Sequence, residues 1–144
     1  LKYKKTDNNA DIKIAYCSNG IDICAIDYTI LNSIDNEPIF VMFYTGIAVE
    51  IPEGYVGILK TRSGLAKKYM MDVFGGVIDS DYRGEIKILS IFYNISINEI
   101  DRIIKDKIPV AQLLILPCPN VTLKEVDELT ETTRGTKGFG SSSL

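Results

Sequence analysis

Isoleucine outnumbers every other apolar side chain in this sequence, and this bias constrains the fold more than any other feature. The chain contains 22 Ile and 8 Val but only 11 Leu and 6 Ala. β-branched side chains lose rotamer freedom in a helix and pack well on a pleated surface. The sequence therefore predicts a mostly β fold.

Short apolar runs separated by turn residues supply the predicted strands. Asn19-Gly20, Pro38 and Gly75-Gly76 are turn signals of this kind. Runs of this length and spacing are typical of a sandwich, a barrel or a jelly roll. The predicted strands cover residues 11–16, 21–26, 39–44, 47–51, 55–61, 84–94 and 110–116.

Three segments depart from the strand pattern. Residues 64–70 follow Ser63, a good N-cap residue, and their Leu, Ala and Lys favour one short helix. Residues 99–107 have charge spacing that suits a helix, but in a β protein we interpret them as an exposed loop. The glycine- and serine-rich residues 134–144 cannot pack a core and are expected to form a flexible tail, which leaves residues 1–133 as one β domain.

Composition excludes several classes of function. The chain has no histidine, which excludes Ser-His-Asp triads, Cys-His dyads and HExxH zinc sites. Its formal charge of -3 argues against a nucleic-acid partner. Cys17, Cys24 and Cys118 form no CxxC pair and are interpreted as core residues in a reducing compartment. No apolar run approaches the roughly 20 residues that span a bilayer, so we expect a soluble protein of the cytoplasm or nucleus, without a membrane partner.

Residues 75–85, with the sequence GGVIDSDYRGE, contain the best candidate for a general base. Asp79 follows Val77 and Ile78, so its carboxylate can lie at the edge of apolar surface and orient a water molecule. Asp, Ser and Gly also favour turns for backbone reasons alone, and this segment by itself supports both interpretations equally. We expect it to form the tip of a β-hairpin.

The start of the predicted helix is a candidate phosphate site. Arg62 and Ser63 lie where free backbone amides and the helix dipole attract anions. A capped helix with a surface arginine is the simpler alternative. Asp22 and Gln112 are polar residues within apolar strands, and taken alone each has a simpler explanation, a turn end for Asp22 and an edge-strand amide for Gln112.

The tail offers a second group of phosphate-binding residues. Arg134 supplies a guanidinium and Phe139 an aromatic face among glycines and serines. A tail of this composition could close over a bound triphosphate, with Arg134 neutralising charge. A terminus without function has the same composition, so this alternative stays open.

Together and in order, these segments resemble the five motifs of the trimeric dUTP pyrophosphatase (dUTPase) family. The first motif ends in Gly-x-Asp-Leu; the others read PRSGLA, GVIDxDYRG, RIAQL and RGxGGFGST. The matching positions here are Gly20, Asp22 and Ile23, then residues 62–66, 76–84, 110–113 and 134–142. Pro109 stands where motif four has Arg, and Lys137 where motif five has Gly.

The resemblance implies a distorted jelly-roll β-barrel that forms a homotrimer, with active sites shared between subunits. It implies Mg2+-dependent hydrolysis of dUTP to dUMP and pyrophosphate, by attack of water on the α-phosphorus. That reaction limits uracil incorporation into DNA and supplies dUMP for dTMP synthesis. Cellular and viral origins both suit such a compact chain.

The resemblance also assigns roles to individual residues. Asp79 is implied to be the catalytic base, Tyr82 to exclude a 2'-hydroxyl, and Asp22 to hold Mg2+ through water. Residues 134–144 are implied to be a lid that closes over the nucleotide. The residues implied to bind substrate are Arg62, Ser63, Gly64, Gly76, Val77, Ile78, Tyr82, Lys87, Gln112, Arg134, Phe139, Gly140 and Ser141.

Two other functions stay open from the sequence. A dCTP deaminase shares the implied fold and also acts on a deoxynucleoside triphosphate. A dUTPase-like protein can also act through protein contacts, with or without catalysis. Asp79, Tyr82 and Arg134 favour the pyrophosphatase over both alternatives.

Overall fold

The computed structural model describes residues 1–14, 20–32 and 38–138. Within these ranges the chain forms eleven strands and two helices. The strands are β1 (Lys2–Lys5), β2 (Ile12–Ile14), β3 (Ile21–Cys24), β4 (Asp27–Ile30), β5 (Ile39–Tyr44), β6 (Ile47–Glu50), β7 (Tyr55–Lys60), β8 (Asp72–Phe74), β9 (Val77–Ile78), β10 (Lys87–Phe92) and β11 (Pro109–Pro117). The helices are α1 (Ser63–Tyr69) and α2 (Ile97–Lys105).

The described strands form three antiparallel sheets. One sheet pairs β1 with β6, a second has the order β4-β5-β10-β8, and a third has the order β2-β3-β11-β7-β9. Among the described strands, two of the eight pairings, β2 with β3 and β4 with β5, join consecutive strands, and the other six join strands that are not consecutive in the chain. The mostly β prediction is confirmed.

Isoleucine fills the core that these sheets enclose. Ile23, Ile47, Ile86 and Ile88 are fully buried. Strand β5 alternates, with residues 39, 41 and 43 buried and residues 40, 42 and 44 half-exposed. Each fully buried side chain of this size contributes about 1.5–3 kcal/mol to folding. The isoleucine bias that predicted strands therefore also supplies the core.

The predicted strands agree with the structure where it describes them, but the prediction missed four. The strand over residues 39–44 is found with the predicted bounds, while β1, β4, β8 and β9 were not predicted. These four are short, with two to four residues each. Apolar patterning is weak over so few residues.

The predicted hairpin around Asp79 is wrong. Strand β9, before the turn, pairs with β7 in the five-stranded sheet. Strand β10, after it, pairs with β5 and β8 in the four-stranded sheet. Residues 79–86 therefore cross from one sheet to another instead of joining two paired strands.

Helix α1 confirms the predicted short helix, with one difference at its start. Its N-cap residue is Arg62, which makes no side-chain capping bond, and Ser63 is already the first helical residue. The helix ends where Met70 adopts a left-handed conformation with φ of 48°. Leu65 and Tyr69 anchor it to the core.

The interpretation of residues 99–107 as a loop is wrong, because they belong largely to α2. The Ser96 side chain accepts a bond from the Glu99 amide and the Glu99 side chain binds the Ser96 amide, which completes a capping box. Ile100 and Ile103 are buried one turn apart. The S-x-x-E signature was present in the sequence and would have located this helix.

Neither of the two helices in the described residues has the length and apolar character needed to span a bilayer.

A phenol-carboxylate bond fastens α2 to the edge strand β4. Tyr28 Oη donates to Asp101 Oδ1 at 2.6 Å. This bond, and then burial, raises the pKa of Tyr28 to about 12. Because only the neutral phenol donates, the contribution to stability is present below the usual pKa of about 10 and is lost as the pH rises through about 12.

Removing this hydroxyl should weaken the fold. Tyr28→Phe is expected to lower the free energy of unfolding by about 0.5–1.5 kcal/mol at pH 8, the usual net worth of one hydrogen bond. The gap from wild type should shrink between pH 10 and 12. Urea denaturation across this range measures both effects, with Tyr55→Phe at an exposed tyrosine as the control. Equal stability of Tyr28→Phe and wild type at pH 8 would refute the role given to the bond.

Candidate active site

The turn after β9 presents Asp79 to solvent in a compact, internally bonded loop. The Tyr82 amide donates to Asp79 O at 3.2 Å. Arg83 Nη1 donates to Ser80 O at 2.7 Å and to Tyr82 O at 3.0 Å. The segment therefore forms a turn and also carries the candidate general base.

A small cavity of about 240 Å³ lies beside Asp79. Its polar groups are the Asp79 and Glu85 carboxylates, the Tyr82 phenol and the Lys87 ammonium group. Its apolar wall comes from residues 77, 78 and 86. A cavity with an apolar wall and a few polar groups is typical of a small-molecule site. Among the predicted site residues, the structure brings together Val77, Ile78, Asp79, Tyr82 and Lys87.

A larger cavity of about 690 Å³ lies on the other side of the same turn. Asp79, Ser80, Asp81 and Arg83 line it together with residues 53–56 and Cys118. Cys118 is exposed, so its interpretation as a core residue is wrong, whereas Cys24 is buried as expected. Cys17 lies outside the described residues. Asp79 thus lines both the small cavity and the larger one.

Gly76 is required by a close approach to β7. Its carbonyl oxygen accepts from the Leu59 amide at 2.7 Å. A Cβ atom at position 76 would lie 2.7 Å from the Leu59 carbonyl oxygen, which no larger residue tolerates.

Lys87 lines the small cavity. It places Nζ 5.3 Å from the centre of the Tyr44 ring.

A second cluster of predicted site residues lies on the same five-stranded sheet. Asp22 of β3 pairs with Gln112 of β11, which pairs in turn with Lys60 of β7. Arg62 follows this row and places Nε 3.2 Å from Asp22 Oδ1. The pair has ion-pair distance without hydrogen-bond geometry, since neither atom makes a hydrogen bond within the described chain.

Partial burial restricts the side chains of the Asp22–Arg62 pair. The side chains are only 10% and 33% exposed. A buried carboxylate needs a compensating charge, so each member holds the other in place. A Cβ atom at Gly20 would lie 3.3 Å from Gln112 Oε1, which places the amide beside the same cluster. Sequence analysis identified both charged residues as candidates but did not indicate that they pair.

The two clusters lie at opposite ends of the sheet. Ile78, next to Asp79, pairs with Gly57 of β7, whereas Arg62 follows the other end of that strand. With about 3.3 Å per strand residue, Asp79 and Arg62 are separated by roughly 15–20 Å. The two clusters are therefore well separated within one chain.

The start of α1 adds backbone donors to the second cluster. The amides of Ser63 and Gly64 belong to the first turn, where amides have no intrahelical acceptor. The Leu65 and Ala66 amides already bind Arg62 O. The open space around Gly64 leaves its backbone accessible.

The tail is described only in part. Residues 118–138 contain no helix or strand and are exposed through residue 137. Arg134 Nε donates to Lys137 O at 2.9 Å within a local turn. Phe139, Gly140 and Ser141 lie outside the described residues, and their predicted roles stay predictions.

The metal prediction can be compared with the donor atoms present. Among the described residues there is no group of three or more Asp, Glu, Cys or His that could enclose a metal ion. The buried Asp22 carboxylate oxygen that makes no hydrogen bond is Oδ1, which lies 3.2 Å from Arg62 Nε, and Asp22 pairs with Gln112 on the neighbouring strand. One carboxylate with substrate phosphates and water is the donor set that Mg2+ commonly takes. The residues fit a magnesium ion held through water.

The fold and the site define a mostly β protein with a small cavity beside a carboxylate and a separate cluster centred on the Asp22–Arg62 pair. A profile of the dUTPase family matches residues 13–143. The chain belongs to the dUTPase family. Its predicted distorted jelly-roll fold is therefore confirmed at the level of the family.

Individual relatives agree with this assignment. The chain is 40% identical over 125 residues to the deoxyuridine 5'-triphosphate nucleotidohydrolase of Paramecium bursaria Chlorella virus 1, covering 87% of this chain and 83% of the relative. It is 37% identical over 150 residues to that of Rickettsia typhi, covering 100% and 97%.

Solved structures give the same picture. A single-residue variant of the dUTPase of Staphylococcus bacteriophage 80alpha, bound to dUpNHpp, has a TM-score of 0.75 and 29% identity, covering 99% of this chain and 98% of that one. A dUTPase variant of S. aureus phage phi11, with a coordinated structural Mg(II) ion, has a TM-score of 0.71 and 27% identity, covering 90% and 98%.

Proposed function

We propose that the chain hydrolyses dUTP to dUMP and pyrophosphate at sites built between subunits. The activity follows from membership of the dUTPase family. The observation that carries the site assignment is the small cavity in which Asp79 and Tyr82 face one nucleoside-sized space.

Asp79 is the general base in this proposal. Its exposed carboxylate holds the attacking water, takes its proton, and contacts the sugar 3'-hydroxyl. Water then adds to the α-phosphorus and pyrophosphate leaves. Positioning and proton removal by one group account for a large part of such a rate enhancement.

Tyr82 and the backbone around it select the nucleoside. The Tyr82 ring lies against deoxyribose and leaves no room for a 2'-hydroxyl, which rejects UTP by a clash. The backbone of residues 76–78 and Lys87 pair with the uracil edge, which the cytosine amino group and the thymine methyl group do not fit. The apolar wall at Val77 and Ile78 supports this assignment.

Arg62, Ser63, Gly64 and Gln112 bind the phosphate chain. The guanidinium and the free amides at the start of α1 supply donors to phosphate oxygens. Asp22 would hold Mg2+ through water, and Gln112 would contact phosphate or metal-bound water. When bound, the ion neutralises charge on the phosphates.

The chain is proposed to act as a homotrimer. The separation of Asp79 from Arg62 along β7 supports a site to which different copies contribute these two groups. An outward face of the four-stranded sheet also carries half-exposed apolar side chains at Phe40, Met42 and Leu89, with Phe74 stacked 6.1 Å from Phe40. Such a face favours burial against another subunit. Three chains of 16.0 kDa would give about 48 kDa in solution.

The tail is proposed to close over the bound nucleotide. Arg134 and Ser141 contact the γ-phosphate, Gly140 supplies a backbone amide, and Phe139 stacks on uracil. The exposure of residues 118–137 supports a segment that reaches beyond its own domain.

Removing this lid should disable catalysis without dissolving the assembly. Deletion of residues 134–144 is expected to lower kcat/KM for dUTP by about 10³-fold, as loss of a phosphate-neutralising arginine does. The molecular mass by size-exclusion chromatography with light scattering should change only by the deleted residues. Deletion of residues 143–144 alone is the control. Unchanged kinetics after the longer deletion would rule out the lid.

A direct assay tests the proposed activity. Purified protein with Mg2+ should release pyrophosphate from dUTP and should release no ammonia from dCTP. Ammonia release would identify a dCTP deaminase. Binding of dUpNHpp without pyrophosphate release from dUTP would identify a nucleotide-binding protein without this activity.

A further inference from the structure

Tyr82 folds back over its own turn and packs directly on Gly84. A Cβ atom at position 84 would lie 2.5 Å from Cζ of the Tyr82 ring and 2.9 Å from Cε2, and it would also overlap the hydroxyl. Gly84 is absent from the residues with positive φ, so its backbone conformation does not require glycine. A side chain at position 84 would therefore displace the Tyr82 ring from this position.

The Tyr82 hydroxyl is fixed at the same place. It donates to the carbonyl oxygen of Glu85 at 2.9 Å. The ring therefore packs on Gly84 and is hydrogen-bonded to the Glu85 carbonyl oxygen, although Tyr82 is 44% exposed. An exposed side chain without such contacts would change rotamer freely.

Glu85, which accepts this hydrogen bond, is itself bonded to the buried corner between β5 and β6. The Gly46 amide donates to Glu85 Oε1 at 2.8 Å. The next residue, Ile86, donates its amide to Ile47 O at 2.7 Å and accepts at its carbonyl from Thr45 Oγ1 at 2.6 Å. Thr45 is fully buried. The corner thus fixes the backbone segment to which Tyr82 is bonded.

We infer that Gly84 and Glu85 are positioning residues that set the selectivity for deoxyribose over ribose by holding the Tyr82 ring. The inference rests on the proposed function, in which Tyr82 rejects a 2'-hydroxyl. Rejection by a clash works only if the ring cannot yield. A ring that turned away would admit UTP while leaving Asp79 and the phosphate contacts unchanged.

The ratio of kcat/KM for dUTP to kcat/KM for UTP measures this effect. Gly84→Ala is expected to lower the ratio at least about tenfold, because the added methyl group displaces the ring. Tyr82→Phe and Glu85→Ala should lower it severalfold. Glu85→Gln should remain near wild type, because its amide oxygen still accepts from the Gly46 amide.

A control separates positioning from general loss of stability. Ser96→Ala breaks the capping box of α2, away from this turn, and should lower the melting temperature without changing the ratio. A merely structural role for Gly84 or Glu85 would lower kcat/KM for both nucleotides in parallel and would overturn the inference.

The outcomes also distinguish this inference from the proposed rejection of the 2'-hydroxyl by Tyr82. A lower ratio in Tyr82→Ala, with unchanged ratios in Gly84→Ala and Glu85→Ala, would overturn the positioning role and leave the role of Tyr82 standing. An unchanged ratio in Tyr82→Ala would overturn both. Should Gly84→Ala fail to fold, Tyr82→Phe tests the inference, since it removes only the hydroxyl that bonds to Glu85. An unchanged ratio in Tyr82→Phe would overturn the positioning role.

Discussion

Asp79→Asn is expected to lose nearly all dUTP hydrolysis while still binding nucleotide. Asparagine keeps the size and polarity of the side chain but cannot take a proton from water. Loss of a positioned general base costs about 10²–10⁴-fold in rate. Steady-state kcat, measured by pyrophosphate release, should fall by that factor, and the affinity for dUpNHpp by isothermal titration calorimetry should change little.

The neighbouring carboxylate supplies a matched control. Asp81 lies in the same exposed turn and lines the larger cavity, but it does not contribute to the small one. Asp81→Asn should therefore retain most activity. Folding stability should be unchanged in both variants, because exposed substitutions of this kind are usually worth less than about 0.5 kcal/mol. Activity near wild type in Asp79→Asn would refute the base assignment.

Two inactive variants should restore activity when their subunits are mixed. One is Asp79→Asn. The other is the double variant Asp22→Asn with Arg62→Met, which removes both charges of the buried pair and so leaves neither uncompensated. Because Asp79 and Arg62 are proposed to meet across a subunit boundary, some mixed sites contain a wild-type copy of each group.

The expected magnitude follows from random assembly. With equal amounts of both chains, about one quarter of the sites combine an intact Asp79 with an intact Asp22–Arg62 pair. Co-refolded mixtures should therefore show about one quarter of wild-type activity, against near zero for each variant refolded alone. Wild type refolded the same way gives the reference value. A mixture as inactive as its components would show that both groups serve the same chain and would refute the shared site.

The strand content and the chemistry of individual segments could be predicted locally. β-branched runs between turn residues predicted β5, β7 and β11, because side-chain alternation and turn formation depend on adjacent residues. The capping box at Ser96 was an equally local signal for α2, and it was missed because the β context was given more weight.

The connections between segments could not be predicted in the same way. The expected hairpin at Asp79 does not form because β9 pairs with β7 while β10 pairs with β5, and pairing between remote strands leaves no trace in neighbouring residues. For the same reason the pairing of Asp22 with Arg62 was not visible.

The sequence by itself determined that this protein is built from strands, where its turns lie, and which residue types match the dUTPase motifs. Only the tertiary structure decided that Asp79 and Arg62 lie at opposite ends of one sheet and that Tyr82 packs on Gly84 and bonds to Glu85. Backbone propensity and motif spacing act over a few residues, whereas these distances result from strand pairing and close packing between distant parts of the chain.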